Sequence, residues 1–399
     1  PINLAWTIML AVFIKQVNNY KGKEVTDEEL KEVVEKTLDE VQKVYKHPGR
    51  EILKKDLNRI LSVFIDIAEG RVPNEKIGQL SIGKYYKKMK APHRMDLMIS
   101  SMTKNGHWNC NQKCLHCYAA GQTYSDKNEL TTEEWKKIID KCRKANIPQL
   151  TFTGGEPTKR DDLVELIDYS KWFITRLNTN GVLLTKKLCQ ELYNASLDSV
   201  QITFYSANRE EHNKLVGANN FDKTVEGIKN AIEAGLPTSI NTPLCSLNKN
   251  YKETLEFLNK LGIKYVSCSG LIITGNATKD ESKETQLSED ELYNILKEAT
   301  EYAKENLMEI SFTSPGWIKE KKLRELGLEI PSCGACLSNM AVAPDGEVVP
   351  CQSWLGKDAG LGNILQTEWK NIWNNPKCIK QRKYSAKALG TCPLKERGN

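Results

Sequence analysis

The stretch QLTFTGGEPTKRDDLVELIDY, residues 149–169, decides the fold. It begins with a short run of threonine and apolar residues, turns at two glycines, and continues with apolar residues at helical spacing. This pattern predicts a strand at Gln149–Thr153 and a helix at Asp161–Tyr169. A strand followed by a helix is the repeating unit of parallel sheets, so the stretch indicates an α/β protein.

The same unit recurs on both sides of this stretch. The predicted strands are Leu97–Met102, Phe173–Asn178, Ser199–Phe204, Thr238–Asn241 and Tyr265–Ser269, and the predicted helices are Thr132–Asn146, Lys186–Asn194, Asp222–Ala234 and Tyr251–Leu261. Together they make about six β/α units, which predict a partial, TIM-like (β/α)6 barrel. The chemistry of such a barrel lies at the carboxyl ends of its strands.

Different patterns flank the predicted barrel. Before it, apolar residues recur at helical spacing without any strand pattern, and Thr26 with Glu29 forms a capping box ahead of a long helix. After it, a segment rich in Gly, Pro, Trp and Cys has few long periodic runs. We expect an N-terminal helical domain at residues 1–92, the barrel at 93–310, and a small C-terminal domain at 311–399.

The composition is that of a globular protein without strong charge bias. Lys and Arg exceed Asp and Glu by six among 399 residues, with mixed signs along the helices. This balance gives no reason to expect a nucleic acid or membrane partner. The apolar run Ile2–Ile14 is shorter than a bilayer span. Twelve cysteines, several of them tightly grouped, suit metal binding better than disulfides in a chain of this size, which predicts a cytoplasmic protein.

The loop after the first predicted strand carries three cysteines within eight residues, Cys110, Cys114 and Cys117. Thiolates at this spacing can hold three irons of a cubane cluster and leave the fourth iron without a protein ligand. That iron is open to a chelating cofactor, and such a cluster is sensitive to oxygen. Spacing alone also allows a zinc ion with His107 or His116 as its fourth ligand.

The loop resembles the signature of the radical S-adenosylmethionine (radical SAM) superfamily, Cys-x3-Cys-x-aromatic-Cys, with His116 in the aromatic position. After the next strand, Gly154-Gly155-Glu156 resembles the superfamily's GGE motif, which receives the amino group of the cofactor. Glycine lets a backbone approach a ligand closely, although Gly-Gly-Glu-Pro alone is also an ordinary turn. The position of this turn, one helix after the cysteine loop, favours the motif.

For the site, the resemblance implies a [4Fe–4S] cluster on the three loop cysteines, with S-adenosylmethionine bound beside it. The candidate cofactor contacts are His116, Tyr118, Gly154, Gly155, Glu156, Asn180, Thr203, Tyr205 and Asn241. The last four lie at predicted strand ends, where polar groups bind ribose hydroxyls or the carboxylate in the superfamily. Residues of these types also serve simply to cap strands and turns.

A second cysteine pattern lies near the end of the chain, where Cys336, nine residues, Gly346, four residues and Cys351 frame a predicted hairpin. It resembles the SPASM and twitch domains of radical enzymes that modify peptides and proteins. The resemblance implies one auxiliary [4Fe–4S] cluster held by Cys333, Cys336, Cys351 and Cys392, with Cys378 as the alternative fourth ligand. Thiolate spacing alone does not distinguish this cluster from a zinc ribbon.

These resemblances imply an enzyme that takes one electron from a reduced flavodoxin- or ferredoxin-type donor and cleaves S-adenosylmethionine to a 5′-deoxyadenosyl radical, which abstracts hydrogen from a substrate. Relatives with such a C-terminal domain commonly act on ribosomally synthesised peptides, by crosslinking, thioether formation, epimerisation or oxidation, so a peptide is the expected substrate. Maturation of a tetrapyrrole or another small cofactor precursor is the alternative among enzymes. A non-catalytic iron–sulfur or zinc protein is the alternative of another class.

Overall fold

A computed structural model of the chain divides into two compact units, Pro1–Lys84 and Tyr85–Asn399. The residues that the structure describes are 4–20, 25–44, 49–71, 73, 82–100, 110–120, 129–355, 359–387 and 390–396. Within these ranges, no helix combines the length and the apolar character needed to cross a lipid bilayer.

The described secondary structure of the first unit is helical. Its helices are α1 (Leu4–Val17), α2 (Asp27–Val44), α3 (Arg50–Ala68) and the short α4 (Ile82–Tyr85), whose last residue belongs to the second unit. Helix α2 follows the predicted capping box, in which the Glu29 carboxylate accepts a hydrogen bond from the backbone N–H of Thr26 at 2.9 Å. The three long helices pack on a core of Met9, Leu38, Val41, Leu53, Leu57 and Ile60.

The second unit contains one mostly parallel sheet. Its strands are β1 (Arg94–Met98), β2 (Gln149–Thr153), β3 (Ile174–Thr179), β4 (Ser199–Thr203), β5 (Thr238–Pro243), β6 (Tyr265–Ser269), β7 (Glu309–Phe312), β8 (Asn339–Val342) and β9 (Val348–Val349). Strands β1 to β7 lie side by side in chain order, each parallel to its neighbours. The predicted α/β fold class is confirmed.

Helices follow the strands of this sheet. They are α5 (Thr132–Lys144), α6 (Leu163–Tyr169), α7 (Lys186–Asn194), α8 (Arg209–Val216), α9 (Phe221–Glu233), α10 (Tyr251–Lys260), α11 (Asp280–Lys283), α12 (Glu289–Glu305), α13 (Glu320–Glu325), α14 (Trp369–Trp373), α15 (Pro376–Ser385) and α16 (Pro393–Glu396). Capping chemistry sets several boundaries. Thr131 and Glu134 form a capping box before α5, and α8 ends at Gly217, whose φ of 62° suits glycine.

Two strands differ most from the sequence prediction, while β3, β4 and β5 differ from it by one or two residues at their ends. The first strand was expected at Leu97–Met102, but it occupies Arg94–Met98 because its pairing register joins Arg94 to Gln149 and Met98 to Thr153. Residues 101–102 lie outside the described part of the chain. The prediction also missed β7, which pairs with β6 and spans both sides of the expected boundary at residue 310. The three-domain division stays a prediction.

The two faces of the barrel sheet have opposite character. Side chains such as Leu97, Phe152 and Ile202 are fully buried among the helices. Alternate positions point to the other face, where side chains such as Asp96, Gln201 and Ser267 line a cavity. The inner face of the barrel is therefore polar and open to a ligand.

The C-terminal hairpin extends the same sheet. Strand β8 pairs in parallel with β1, placing Met340 opposite Met95 and Val342 opposite Leu97, and β9 returns antiparallel to β8. The hairpin turns at Gly346, where a φ of 86° favours glycine. Because β1 leads into the cysteine loop, this pairing brings the C-terminal cysteines to the same end of the sheet as that loop.

Candidate functional site

The cysteine loop is anchored at the carboxyl end of the sheet. The backbone N–H groups of Lys113 and Leu115 donate to the carbonyls at the end of α8, each at 2.9 Å. The side chain of Asn180, just after β3, reaches the loop, and its Nδ2 donates to Oδ1 of Asn111 at 2.6 Å and to Sγ of Cys110 at 3.7 Å. The loop is thus held by two separate elements of the barrel.

Burial raises the pKa of all three loop thiols. Burial raises the pKa of Cys110 to about 12, and the nearby Glu156 carboxylate adds to the rise. Burial also raises the pKa of Cys114 well above its ordinary value, with further contributions from Cys117 and Cys110. The pKa of Cys117 is raised by burial as well. Thiols in this setting ionise when a cationic group compensates them, so the donor set fits an iron–sulfur cluster.

A single metal ion fits these thiols less well. Among the described residues, no three His, Cys, Asp or Glu side chains converge on one ion position. Cubane ligands need not converge in this way, because each thiolate binds its own iron. Nε2 of His116 lies 2.7 Å from Oγ1 of Thr285, and His107, the other proposed zinc ligand, lies outside the described residues.

The Gly-Gly-Glu turn connects the ends of β2 and β3. Gly154 has a φ of 144°, and a Cβ atom there would lie 2.3 Å from Oγ of Ser100, so only glycine fits. The buried Glu156 carboxylate accepts hydrogen bonds from Oγ1 of Thr179 at 2.6 Å and from the backbone N–H of Asn180 at 2.8 Å. It also accepts two bonds from Thr158, at 2.6 and 3.0 Å. Its oxygens are engaged by the protein, and it fixes the turn.

The predicted strand-end contacts line one cavity. Asn180, Thr203, Tyr205 and Asn241 all border it, although they come from different strands or strand ends. Thr203 and Asn241 are direct neighbours in the register of β4 and β5. Burial raises the pKa of Tyr205 well above its ordinary value, and the neighbouring Cys114 adds to the rise. The structure thus brings these residues together on the side of the sheet that carries the loop.

His116 and Tyr118 make contacts that the sequence alone did not indicate. The hydroxyl of Thr285 donates to the Ser282 carbonyl at 2.7 Å, so it accepts from Nε2–H of His116. Nδ1 of His116 is buried without a hydrogen-bond partner among the described residues. Tyr118 donates to Oε1 of Gln352 at 3.3 Å, which links the cysteine loop to the residue after Cys351.

The C-terminal cysteines form a second group. Sγ of Cys333 lies 3.5 Å from Oγ of Ser385, whose hydroxyl donates to the Ala335 carbonyl at 2.7 Å. Burial raises the pKa of Cys351, and Cys333 and Cys392 add to the rise, so these three thiols lie in the same region. Cys336 has a φ of 55°, unusual for a residue other than glycine, and its backbone N–H donates to Pro350 at 3.1 Å.

The alternative ligand Cys378 belongs to the same group. It hydrogen-bonds with Cys336, and Nη1 of the buried Arg382 donates to its sulfur at 3.5 Å. These contacts lower the pKa of Cys378, with the Cys336 bond as the larger cause. Five thiols therefore lie in this region, one more than the four ligands that a cubane cluster needs.

The inner face of the barrel carries charged residues that the sequence analysis missed. Arg94 and Asp96 on β1 and Arg176 on β3 line the cavity below the strand ends. Their alternation with apolar residues could have identified them, because a strand with one face turned to a cavity has polar residues at every second position. The strands were instead identified from their apolar residues alone.

A parallel barrel with a thiol loop at the carboxyl ends of its strands defines an iron–sulfur protein of the α/β-barrel class. The sequence profile of the Radical SAM superfamily matches residues 109–261, and that of the SPASM iron–sulfur cluster-binding domain matches residues 333–393. The chain belongs to the radical SAM superfamily and carries a SPASM domain, which confirms the resemblance. It is a radical SAM enzyme, whose fold binds a [4Fe–4S] cluster and S-adenosylmethionine, and the SPASM domain implies auxiliary iron–sulfur clusters.

Similar proteins have different named activities. An AdoMet-dependent heme synthase of Methanosarcina barkeri is 30% identical over 305 residues, covering 72% of this chain and 85% of that protein. A PqqA peptide cyclase of Bradyrhizobium diazoefficiens is 28% identical over 250 residues, covering 61% and 64%. The crystal structure of Streptococcus suis SuiB bound to precursor peptide SuiA has a TM-score of 0.66 at 14% identity, covering 100% of this chain and 91% of that chain, which shows a shared fold.

Proposed function

We propose that this enzyme abstracts a hydrogen atom from a ribosomally synthesised peptide. The observation that supports this is the cavity of about 1930 Å³ on the inner face of the barrel. This space also has to hold S-adenosylmethionine and the loop cluster, and it exceeds the roughly 300–1,000 Å³ typical of a single small-molecule pocket. Hydroxyl and amide side chains from β2 to β7 line it, and they can pair with the donor and acceptor that each peptide residue carries.

In this proposal, the loop cysteines hold the cluster that participates in catalysis. Its ligands are Cys110, Cys114 and Cys117, and the cofactor contacts are His116, Tyr118, Gly154, Gly155, Glu156, Asn180, Thr203, Tyr205 and Asn241. When bound, the cluster and S-adenosylmethionine supply a one-electron cleavage that yields the 5′-deoxyadenosyl radical. The protein orients both by the Glu156 bonds that fix the turn and by the Asn180 bonds that hold the loop. The loop thiols are only partly exposed, which limits the water that reaches the site.

One auxiliary cluster is proposed in the SPASM domain. Its ligands are Cys333, Cys336, Cys351 and Cys392. Cys351 supports this choice because the other thiols that raise its pKa are Cys333 and Cys392. In this scheme Cys378 is a neighbour of the cluster, held by Arg382.

A reduced flavodoxin- or ferredoxin-type protein supplies the electron in this proposal, and the cytoplasm is its compartment. No disulfide joins any of the twelve cysteines, all of which lie within the described residues.

A tetrapyrrole is the second candidate substrate. It is favoured by sequence similarity, since the heme synthase of Methanosarcina barkeri matches a larger share of this chain than the peptide cyclase does. A tetrapyrrole exposes large apolar faces, whereas strands β2 to β5 present mainly hydroxyl and amide groups to the cavity. This part of the cavity lining is why the peptide is preferred.

The first experiment is anaerobic reconstitution followed by addition of dithionite and S-adenosylmethionine. We expect 5′-deoxyadenosine, and a Cys114→Ala variant is the matched control that should produce none. Absence of deoxyadenosine from wild-type protein with full iron content would favour a non-catalytic iron–sulfur protein. The genomic neighbourhood then tests the substrate, because an adjacent short peptide gene supports a peptide and adjacent tetrapyrrole-biosynthesis genes contradict it.

A further inference from the structure

Arg176 lies on the inner face of the barrel, within the cavity. It occupies β3 between two neighbouring strands, with Thr151 of β2 and Ser199 of β4 opposite it in the pairing register. Its side chain lines the cavity and is only partly exposed. A cation on this face is directed toward whatever fills the barrel.

A nearby carboxylate, Asp96, is already paired with another arginine. Asp96, which is 2% exposed, lies with Oδ1 2.8 Å from Nε of Arg94, and its Oδ2 accepts from Nη2 of Arg94 at 3.4 Å. The Nε–Oδ1 contact is close but lacks hydrogen-bond geometry, so it is an ion pair. Asp96 is thus paired with Arg94, and the guanidinium of Arg176 lies near this pair.

Arg176 has little to neutralise its charge. Its hydrogen bond among the described residues runs from Nε to Oγ of Ser199 at 3.4 Å, which leaves both Nη groups available. Burial lowers the pKa of Arg176 and the nearby Arg94 lowers it further, while Asp96, already paired with Arg94, partly offsets this change. An arginine stays protonated in proteins, so the cost of this placement persists until an anion approaches.

We propose that the guanidinium of Arg176 binds a carboxylate group of the substrate inside the barrel. A planar guanidinium with two free Nη groups offers the fork that a carboxylate fits with two hydrogen bonds. This assignment rests on the proposed peptide function and narrows it to a peptide with an acidic side chain or a free C-terminus in the cavity.

The position of Arg176 also determines how far the bound carboxylate lies from the cysteine loop. It precedes Asn180, the residue just after β3, by four residues, a separation of about 13 Å at 3.3 Å per residue. Asn180 contacts the cysteine loop, so Arg176 lies well below the proposed site of hydrogen abstraction. An extended substrate covers this distance with about four residues. The carboxylate therefore anchors the substrate at a point away from the reacting carbon.

The test is equilibrium dialysis of radiolabelled probes against anaerobically reconstituted holoenzyme with S-adenosylmethionine. The peptide probes are Ac-Gly-Ser-Ala-Glu-Ala-Ser-Gly-NH2, its Gln counterpart, and the Gln peptide with a free C-terminal carboxylate. Coproporphyrin III and its tetramethyl ester form the tetrapyrrole arm. Wild-type enzyme should bind at least one carboxylate probe about ten-fold more tightly than its neutral counterpart.

Three variants identify the group responsible. Arg176→Gln should abolish the preference for the carboxylate, and Arg176→Lys should retain part of it as a point charge. Asp96→Asn should strengthen carboxylate binding, because it releases Arg94 into the same cavity. Lys279→Gln is the matched control, since it removes an equal charge from an exposed lysine that also lines the cavity and should leave the preference unchanged. Circular dichroism and iron content verify that each variant is folded.

The outcomes separate the two proposals. The assignment to Arg176 is wrong if Arg176→Gln prefers the carboxylate peptide over its neutral counterpart as strongly as wild type does. It is also wrong if Lys279→Gln reduces this preference as much as Arg176→Gln does. In both cases the peptide function stands. If no peptide binds but coproporphyrin III binds in an Arg176-dependent manner, the carboxylate site stands and the peptide function fails. If no carboxylate probe is preferred over its neutral form, the assignment is overturned.

Discussion

The carboxylate of Glu156 accepts a hydrogen bond from the backbone N–H of Asn180 at 2.8 Å. This bond joins the turn after β2 to the end of β3, and Asn180 in turn holds the cysteine loop through Asn111. One buried carboxylate therefore links the two segments that the superfamily uses for its cofactor and its cluster.

Replacing Glu156 with glutamine tests this link. The new amide would point an NH2 group at donors that now serve the carboxylate, so we expect Glu156→Gln to lower the free energy of unfolding by about 2 kcal/mol. S-adenosylmethionine binding should weaken as well. Denaturant unfolding and equilibrium dialysis measure these two effects. Glu165→Gln, on the exposed part of α6, is the control and should change stability little. Equal stability of wild type and Glu156→Gln would refute the structural role.

Gly154 should tolerate no side chain. In Gly154→Ala the new Cβ would meet Oγ of Ser100 at 2.3 Å and its backbone nitrogen at 2.9 Å. We expect a loss of about 2–3 kcal/mol, from overpacking added to backbone strain. Gly327→Ala is a control for strain alone, because Gly327 has a φ of 72° with nothing near its Cβ position. Thermal unfolding should show the larger loss for Gly154→Ala, and similar losses in both would contradict the steric explanation.

Iron analysis tests the ligands of both clusters. Wild-type protein should bind about eight irons per chain, and Cys110→Ala, Cys351→Ala or Cys392→Ala should each bind about four. Cys378→Ala should keep about eight, since Cys378 is bonded to Arg382 and is proposed to lie beside the cluster. Colorimetric iron and sulfide assays with Mössbauer spectroscopy give the counts. Loss of iron from Cys378→Ala with retention in Cys392→Ala would reverse the assignment of the fourth ligand.

His212 should make stability depend on pH. Burial lowers its pKa from an ordinary 6.5 to about 4, so the folded protein binds fewer protons than the unfolded chain between these values. Stability from this group is present above about pH 6.5 and is lost as the pH falls toward 4, by at most about 3 kcal/mol. The stability difference between wild type and His212→Gln should therefore shrink from pH 7.5 to pH 5. Urea unfolding at both values measures it, and a constant difference would exclude His212 as the cause.

The sequence predicted the barrel well because its strands have distinct apolar cores. Gln149–Thr153, Lys186–Asn194 and Tyr265–Ser269 have the predicted bounds. The first strand was predicted too far along the chain because Leu97 and Ile99 are both apolar. Only the pairing with β2 shows that the strand begins at Arg94. Strand β7 was missed because Glu309 and Ser311 break its apolar pattern at the edge of the barrel.

Site residues could be predicted where they form a motif with fixed spacing along the chain. They could not be predicted where they are brought together only by the fold. The cysteine loop and the Gly-Gly-Glu turn are local motifs, so their residues could be identified from the sequence. The Tyr118–Gln352 bond joins residues 234 positions apart, and the Cys336–Cys378 contact joins a loop to a helix. Such contacts depend on how β8 pairs with β1, which no local pattern encodes.

The pairing of β8 with β1 also protects the barrel from self-association. Without the C-terminal hairpin, β1 would present a five-residue row of unpaired backbone N–H and C=O groups along one edge. Exposed edges of this kind recruit strands from other chains and promote aggregation. We therefore expect a truncated protein that ends before residue 339 to aggregate. The hairpin both covers the edge of β1 and carries cysteines of the C-terminal group.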